Sequence, residues 1–335
     1  MLYAAIDIHK RVFQAAVFDE ASGELIQERF EADRRSLEGW ARRWQGEVEA
    51  VAIEATTGWR WVARGLQARG LVVHLVDPGR ASALQGRRRA PKTDRLDARW
   101  LALLLARQLL SECEAWLPPT AVQELRDRTR LRRALSDDRR RWAQRLHALL
   151  TQEGFPCARG RLLTESGQRW LHGLALPPAA RAYVERCLAL IAALDAQLQE
   201  LDAELRRFAA TDQRCRALQT IYGVGPTIAC LLLAEIGQAT RFRRPRSLVR
   251  AAGLDPVVAD SGDRRRRGRL SKAGSPHLRW ALVQAAQHAH RQASPDRPGY
   301  LRRSQRIGAN RAKLVVARAI AQRAYHLLRQ LEPAA

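Results

Sequence analysis

Four carboxylates carry the first chemical signal. Asp7 follows an apolar run at residues 2–6 in Ala-Ile-Asp-Ile, and Glu54 follows another at 51–53 in Ala-Ile-Glu-Ala. Asp94 and Asp97 stand in Lys-Thr-Asp-Arg-Leu-Asp-Ala-Arg at 92–99, where a helical pattern begins. Three residues apart, they share one helix face. Acids at the ends of neighbouring strands and a pair from a nearby helix can converge on one point. Such a cluster repels itself unless a cation neutralises it. Hard Mg²⁺ (or Mn²⁺) suits an all-oxygen ligand set, and two ions about 3.5–4 Å apart can activate an attacking oxygen and stabilise a leaving one. Each acid also has a structural reading. An acid after a strand is often a turn residue, and Asp94 with Asp97 resembles a helix cap with its partner in the first turn.

A serine beside a run of cations is the second signal. Ser261 lies in Ala-Asp-Ser-Gly-Asp at 259–263, read as a loop, followed by Arg264, Arg265, Arg266, Arg267, Gly268 and Arg269. A hydroxyl there can attack a phosphodiester if its proton is removed and cations stabilise the transition state. The structural alternative is a Ser-Gly turn. Ser275, before Pro276, reads as a helix cap, and Ser271 is the other candidate nucleophile. A third signal is Ile221-Tyr-Gly-Val-Gly-Pro-Thr-Ile-Ala229 between two helical patterns. It has the form of a helix-hairpin-helix, in which Gly223 and Gly225 permit a tight turn and the second helix offers N–H groups to a phosphate. A plain glycine turn between packed helices is the alternative.

The elements that must position these residues follow from periodicity. Residues 2–6, 12–18 and 25–30 read as strands, as do 51–53 and 71–76, with helices over about 58–68 and 94–110. Three early strands followed by alternating strands and helices give a mixed sheet flanked by helices. The chain order strand-Asp, strand-Glu, helix-Asp-x-x-Asp matches a ribonuclease-H-like nuclease core, and that joint order favours the metal reading. An Arg-rich helix covers about 120–153. A second spans 178–208, with Leu188, Ile191, Leu194, Leu198, Leu201, Leu205 and Phe208 near a heptad spacing. That pattern suits an antiparallel coiled-coil hairpin or an oligomerisation arm, or an internal helical bundle.

Charge points to the partner. The 335 residues carry 58 Lys+Arg against 34 Asp+Glu, a net +24. All but four cations are arginine, the residue whose planar fork fits phosphate. A GC-rich genome explains that ratio but not the surplus. Residues 241–335 alone hold 22 Lys+Arg and five Asp+Glu, so the excess is concentrated where a polyanion would bind. Lys272 lies in this segment. Five scattered cysteines without a Cys-x-x-Cys pair argue against a disulfide framework or a zinc site and for a reducing cytoplasm. The N-terminal residues read as a strand rather than a signal peptide, and no apolar run is long enough to span a membrane.

Three blocks together resemble the DEDD transposases of the insertion-sequence-110 family, the RNA-guided recombinases. They are Ala-Ile-Asp-Ile-His-Lys at 5–10; Glu-Ala-Thr-Thr-Gly at 54–58 with the 92–99 segment; and the run from Gly223 through Ala-Ala-Gly-Leu at 251–254 to Leu-Ser-Lys-Ala-Gly at 270–274. The resemblance implies a RuvC-like, ribonuclease-H-like α/β domain at 1–118 whose acids are Asp7, Glu54, Asp94 and Asp97. It implies a helical coiled-coil region at 119–210 and a mostly α transposase domain at 211–335 carrying a serine nucleophile, matched by Ser261. Donor and target DNA, a structured guide (bridge) RNA and a homo-oligomer, dimer or tetramer, are the implied partners; no membrane is involved, and a nucleoid-associated place in a bacterial cytoplasm follows. Sequence choice is then delegated to base pairing. Two other readings stay open from the residues: a structure-selective nuclease that uses water as nucleophile, and a non-catalytic basic nucleic-acid scaffold.

Overall fold

A meander and two parallel crossovers build the sheet of the N-terminal half. In the computed structural model, residues 1–85, 94–157, 160–261 and 264–332 are described. Strands β1 (Leu2–Ile8), β2 (Val12–Asp19) and β3 (Leu25–Glu31) form antiparallel hairpins. Helix α1 (Arg34–Trp44) leads to β4 (Val48–Glu54), parallel to β1, and α2 (Trp59–Gln67) leads to β5 (Val73–Val76), parallel to β4. Then come α3 (Pro78–Gln85), α4 (Asp94–Ala106) and the two-residue β6 (Glu114–Ala115), antiparallel to β5. The strand order is β3-β2-β1-β4-β5-β6.

Both sheet faces are covered, so the central strands are apolar on both sides. Ala4, Ile6, Ile8, Val51 and Ile53 pack against Leu37, Trp40, Ala41 and Trp44 of α1 and Val62, Ala63 and Leu66 of α2. Tyr3, Ala5, Ala16, Ala50 and Ala52 on the opposite face pack against Ala98, Leu101, Ala102 and Leu105 of α4. Four alanines on that face leave room for a close helix. The expected helix at 94–110 stops at Ala106, and a 3₁₀ turn at Leu109–Glu112 follows. Helices α1 and α3 and strand β6 are additions to the sequence reading.

The chain separates into two units, Met1–Leu117 and Pro118–Ala335. In the second, α5 (Thr120–Gln152) and α7 (Pro178–Thr211) form a long pair, with the short α6 (Glu165–His172) between them in sequence. The pair is antiparallel: Arg132 meets Asp202, whereas Arg139, one heptad later, meets Asp195, one heptad earlier. Helices α8 (Gln213–Gln219), α9 (Pro226–Ile236) and α10 (Pro245–Ala251) come next. A hairpin of β7 (Pro256–Ser261) and β8 (Arg264–Leu270) precedes α11 (Pro276–Ala286), α12 (Arg297–Ile307) and α13 (Ala309–Leu331). Leu125 of α5 and Leu205 and Ala209 of α7 share one core with α8 through α13. The segments 119–210 and 211–335 therefore pack as parts of one unit rather than as two.

The hairpin corrects one expectation. Ser261, read as a loop residue, instead closes strand β7 opposite Arg264, and the arginine run is strand β8. Strand pairing with Pro256-Val-Val-Ala satisfies the backbone of the charged stretch, an option that composition alone does not reveal. All five cysteines are free thiols. No described helix is long and apolar enough to cross a membrane.

Candidate active site

Asp7 continues the Tyr3–Ala5 face of β1, and Glu54 continues the Ala50–Ala52 face of β4, because side chains alternate along a strand. The parallel register pairs Ile6 with Ile53. The two acids are the next residues on each strand, so they stand level, on neighbouring strands, on the face that α4 covers. Adjacent strands lie about 4.8 Å apart. The Asp7 side chain is only 8% exposed and accepts a hydrogen bond from Nε2 of His9 at 3.1 Å. His9, two residues on along the same face, is a partner to which the sequence reading gave no role of its own.

Asp97 lies on α4 one turn before Leu101, which is buried against the sheet. Asp94 is one further turn back on the same stripe; its side chain lies outside the described residues. Asp97 thus extends the helix's buried stripe toward its N-terminus. Among the described residues no group of three His, Cys, Asp or Glu side chains is arranged to hold a metal. The structure therefore brings Asp7 and Glu54 together and places Asp97 on the covering helix. The donor set is oxygen throughout, which suits a hard divalent cation. Level carboxylates on adjacent strands are also the arrangement that such a cation relieves.

The loop after Glu54 folds back over β1. A Cβ placed on Gly58, whose φ is +97°, would lie 3.8 Å from Cγ2 of Ile8. In the same loop, the Thr56 hydroxyl is buried with no hydrogen-bond partner among the described residues.

In the second unit the motif pieces interlock. Ser271 N–H donates to the Asp255 carbonyl, Lys272 N–H to Gly253 and Ser275 N–H to Ala251. A Cβ on Gly274 would come 2.2 Å from the Ala251 carbonyl oxygen, and one on Gly253 would come 2.8 Å from the Lys272 backbone. The blocks 251–254 and 270–274 are thus one brace at the base of the hairpin, and Lys272 takes a left-handed φ of +51° to close it. The Ser271 hydroxyl donates to the Asp255 carboxylate at 2.5 Å. Ser275 caps α11, as expected, and its hydroxyl also donates to Glu235 at 2.8 Å.

Glu235 is a residue that the sequence reading missed. It is 4% exposed, inside an otherwise apolar helix. Burial alone pushes its carboxyl up. The bidentate hydrogen bonds and charge of Arg130, the Ser275 hydroxyl and the charge of Arg126 together outweigh that and hold it below the ordinary glutamate range. Arg126 and Arg241 meanwhile donate to the last carbonyls of α9, at Ala234, Glu235 and Ile236. An acid one residue before the end of an apolar run, with arginines on α5 and just after α9, is a signal visible only once those segments are known to touch.

The glycines of the hairpin-like motif play different parts. Gly223 sits at φ +87° between α8 and α9, and a Cβ there would come 2.4 Å from the Ala285 carbonyl oxygen. Gly225 precedes α9 with open space before it. Gly223→Ala is therefore expected to cost at least ~1–3 kcal/mol from backbone strain alone, read as a lower denaturant midpoint. Gly225→Ala should cost less, and equal losses would contradict this division. The side chains of Ser261 and of Arg264, Arg265, Arg266 and Arg267 lie outside the described residues, as do Gly262 and Asp263; Arg269 is exposed.

Comparison with known proteins gives a consistent answer. A family model described as a transposase, DEDD_Tnp_IS110, matches residues 4–155. A second, described as the transposase IS116/IS110/IS902 family, matches residues 215–302. A Sinorhizobium fredii protein whose provisional name is transposase y4rJ is 33% identical over 70% of this chain, and the match spans 64% of that protein, just under two thirds. The transposase for insertion sequence element IS1328 of Yersinia enterocolitica is 27% identical over 70% of the chain and 69% of its own length. The transposase for insertion sequence element IS1111A of Coxiella burnetii is 26% identical over 84% of the chain and 76% of its own length.

Proposed function

The chain belongs to the IS116/IS110/IS902 family of insertion-sequence transposases, and from that premise we propose that it cuts and exchanges DNA strands by phosphodiester transesterification. The observation that carries the reading is the level placement of Asp7 and Glu54 on the α4 face. The strand order β3-β2-β1-β4-β5, with β2 alone antiparallel to both of its neighbours, supports a ribonuclease-H-like (RuvC-like) N-terminal domain. The antiparallel α5/α7 pair supports a coiled-coil arm for a dimer or tetramer.

Asp7, Glu54, Asp94 and Asp97 would hold Mg²⁺ or Mn²⁺, which when bound supplies Lewis-acid charge against the phosphodiester oxygens. His9 holds the Asp7 carboxylate in place. The Ser261 oxygen attacks the scissile phosphorus; its proton leaves to a base, and the bond to the 3′ oxygen breaks. The products are a phosphoserine and a free 3′-OH. That hydroxyl attacks the phosphoserine on a partner strand, re-forming a phosphodiester and returning the serine, so no nucleotide cofactor is consumed. The arginines Arg264, Arg265, Arg266, Arg267 and Arg269, with Lys272, Gly223 and Gly225, would contact the nucleic-acid backbone. A structured guide RNA fits a basic chain in which base pairing selects the sequence.

Trapping tests the chemistry. Wild-type protein with metal and a nicked or bulged DNA substrate is expected to give a protein–DNA adduct that survives denaturation, and Ser261→Ala none. The Ser271–Asp255 hydrogen bond favours a second nucleophile, since a carboxylate can take a serine proton. An adduct that persists in Ser261→Ala and vanishes in Ser271→Ala would move the assignment there. Cleavage with no adduct in any variant would leave a nuclease that uses water.

A further inference from the structure

The last two helices carry a charge excess that none of the motifs above uses. From Gln287 to Glu332 the chain has ten Lys+Arg and two acids, Asp296 and Glu332. Both acids are committed inside the fold. Asp296 forms a bidentate pair with Arg323, and Glu332 accepts from the N–H groups of Ala239 and Thr240. The remaining cations of the segment therefore have no carboxylate of their own to neutralise them.

The excess is directed outward. On α12, Tyr300 is buried while Ser304 and Ile307 are half-buried, a single inward stripe. Arg302 and Arg306 fall on the opposite side at i, i+4, flanked by Arg303, and all three are exposed. Arg311, exposed on the first turn of α13, continues the patch across the turn at Gly308. Arg303 donates to the Gly299 carbonyl, which steadies its side chain without removing its charge.

We infer that this α12–α13 face is a docking surface for the phosphate backbone of duplex DNA, separate from the β7/β8 hairpin and from the acid site. A single strand would need aromatic platforms for its bases. Here the only large apolar side chain that is exposed is Leu301, while Tyr300 and Tyr325 are buried. Guanidinium groups one helical turn apart, with no stacking surface, suit a regular ladder of phosphates. The choice of DNA rests on the transposase reading above.

The test is the salt dependence of binding to a blunt duplex, measured on full-length protein. Removing Arg302, Arg306 and Arg311 together (each to Gln) is expected to lower the slope of log K against log salt by about 2.7, if each meets one phosphate. Affinity at about 0.15 M salt should weaken on the order of 10²-fold. All three positions are exposed, so the melting temperature should hold. An unchanged slope overturns the inference. So does an equal loss on replacing the exposed Arg29, Arg34 and Arg35, which would make the effect one of net charge, or a loss seen with duplex RNA and not with DNA. The covalent-adduct assay run in parallel separates the two claims. An adduct with an unaltered slope sinks only this surface, and a lost slope with no adduct sinks only the strand-exchange chemistry.

Discussion

Asp7→Asn is expected to abolish metal-dependent strand cleavage while the protein stays folded. The substitution keeps the shape of the side chain and an oxygen for His9, but removes one negative charge from the end of β1. Asp7 is the least exposed of the described acids of the site, so solvent cannot stand in for it. Loss of one charged ligand forfeits several kcal/mol of transition-state stabilisation, on the order of 10³-fold in rate. Single-turnover cleavage of an end-labelled duplex measures it, with the melting temperature as the folding control. His9→Gln, which removes only the hydrogen-bond partner, should cost roughly 10–100-fold. Cleavage by Asp7→Asn within tenfold of wild type would remove the acid site from the mechanism.

The largest stability effect is expected at Glu235, far in sequence from any of those acids. Glu235→Ala leaves a buried void beside the Arg130 guanidinium, which is itself 37% exposed, and removes the acceptor of three hydrogen bonds, and should cost about 2–4 kcal/mol. Replacing both partners with apolar residues, Arg130→Met with Glu235→Leu, should recover most of that loss, because the pair's attraction chiefly offsets its own desolvation. Chemical denaturation of wild type, Glu235→Ala and the double variant measures it; a double variant as unstable as Glu235→Ala would contradict the account. Acid provides a second readout. The Glu235 carboxyl titrates below its ordinary value of 4.5, so its contribution is complete above that pH and disappears as pH falls through the lower native value. Wild type should therefore lose stability more steeply than Glu235→Gln below about pH 4.5.

Much of this architecture is legible in the amino-acid order. The strands holding Asp7 and Glu54 announce themselves as apolar runs, and the long helices α5 and α7 as periodic ones. What periodicity cannot supply is pairing. The β1/β4 register that sets Asp7 level with Glu54 depends on a contact between segments more than forty residues apart. The segment around Ser261 reads as a loop because charge density beside it and β-propensity point in opposite directions; a partner strand decides in favour of the strand. Glu235 is invisible for a related reason. Its neighbours Arg130 and Ser275 are distant in sequence, and an isolated acid in an apolar helix looks like noise. The glycines at 253 and 274 stand in separate blocks of the sequence, and only the fold shows that their role is to let two backbones touch.

The antiparallel α5/α7 pair has a further consequence. Thirty-four residues of helix make a girder about 50 Å long. Its ends belong to different apolar clusters: Leu125 and Leu205 at one, Leu146, Leu150, Val184 and Cys187 at the other. Between them run the Arg132–Asp202 and Arg139–Asp195 pairs. The outer tip, with α6 folded onto it, is thus a cooperative unit of its own, able to open and reclose while the inner cluster stays shut. Amide exchange in that tip would run on its own clock.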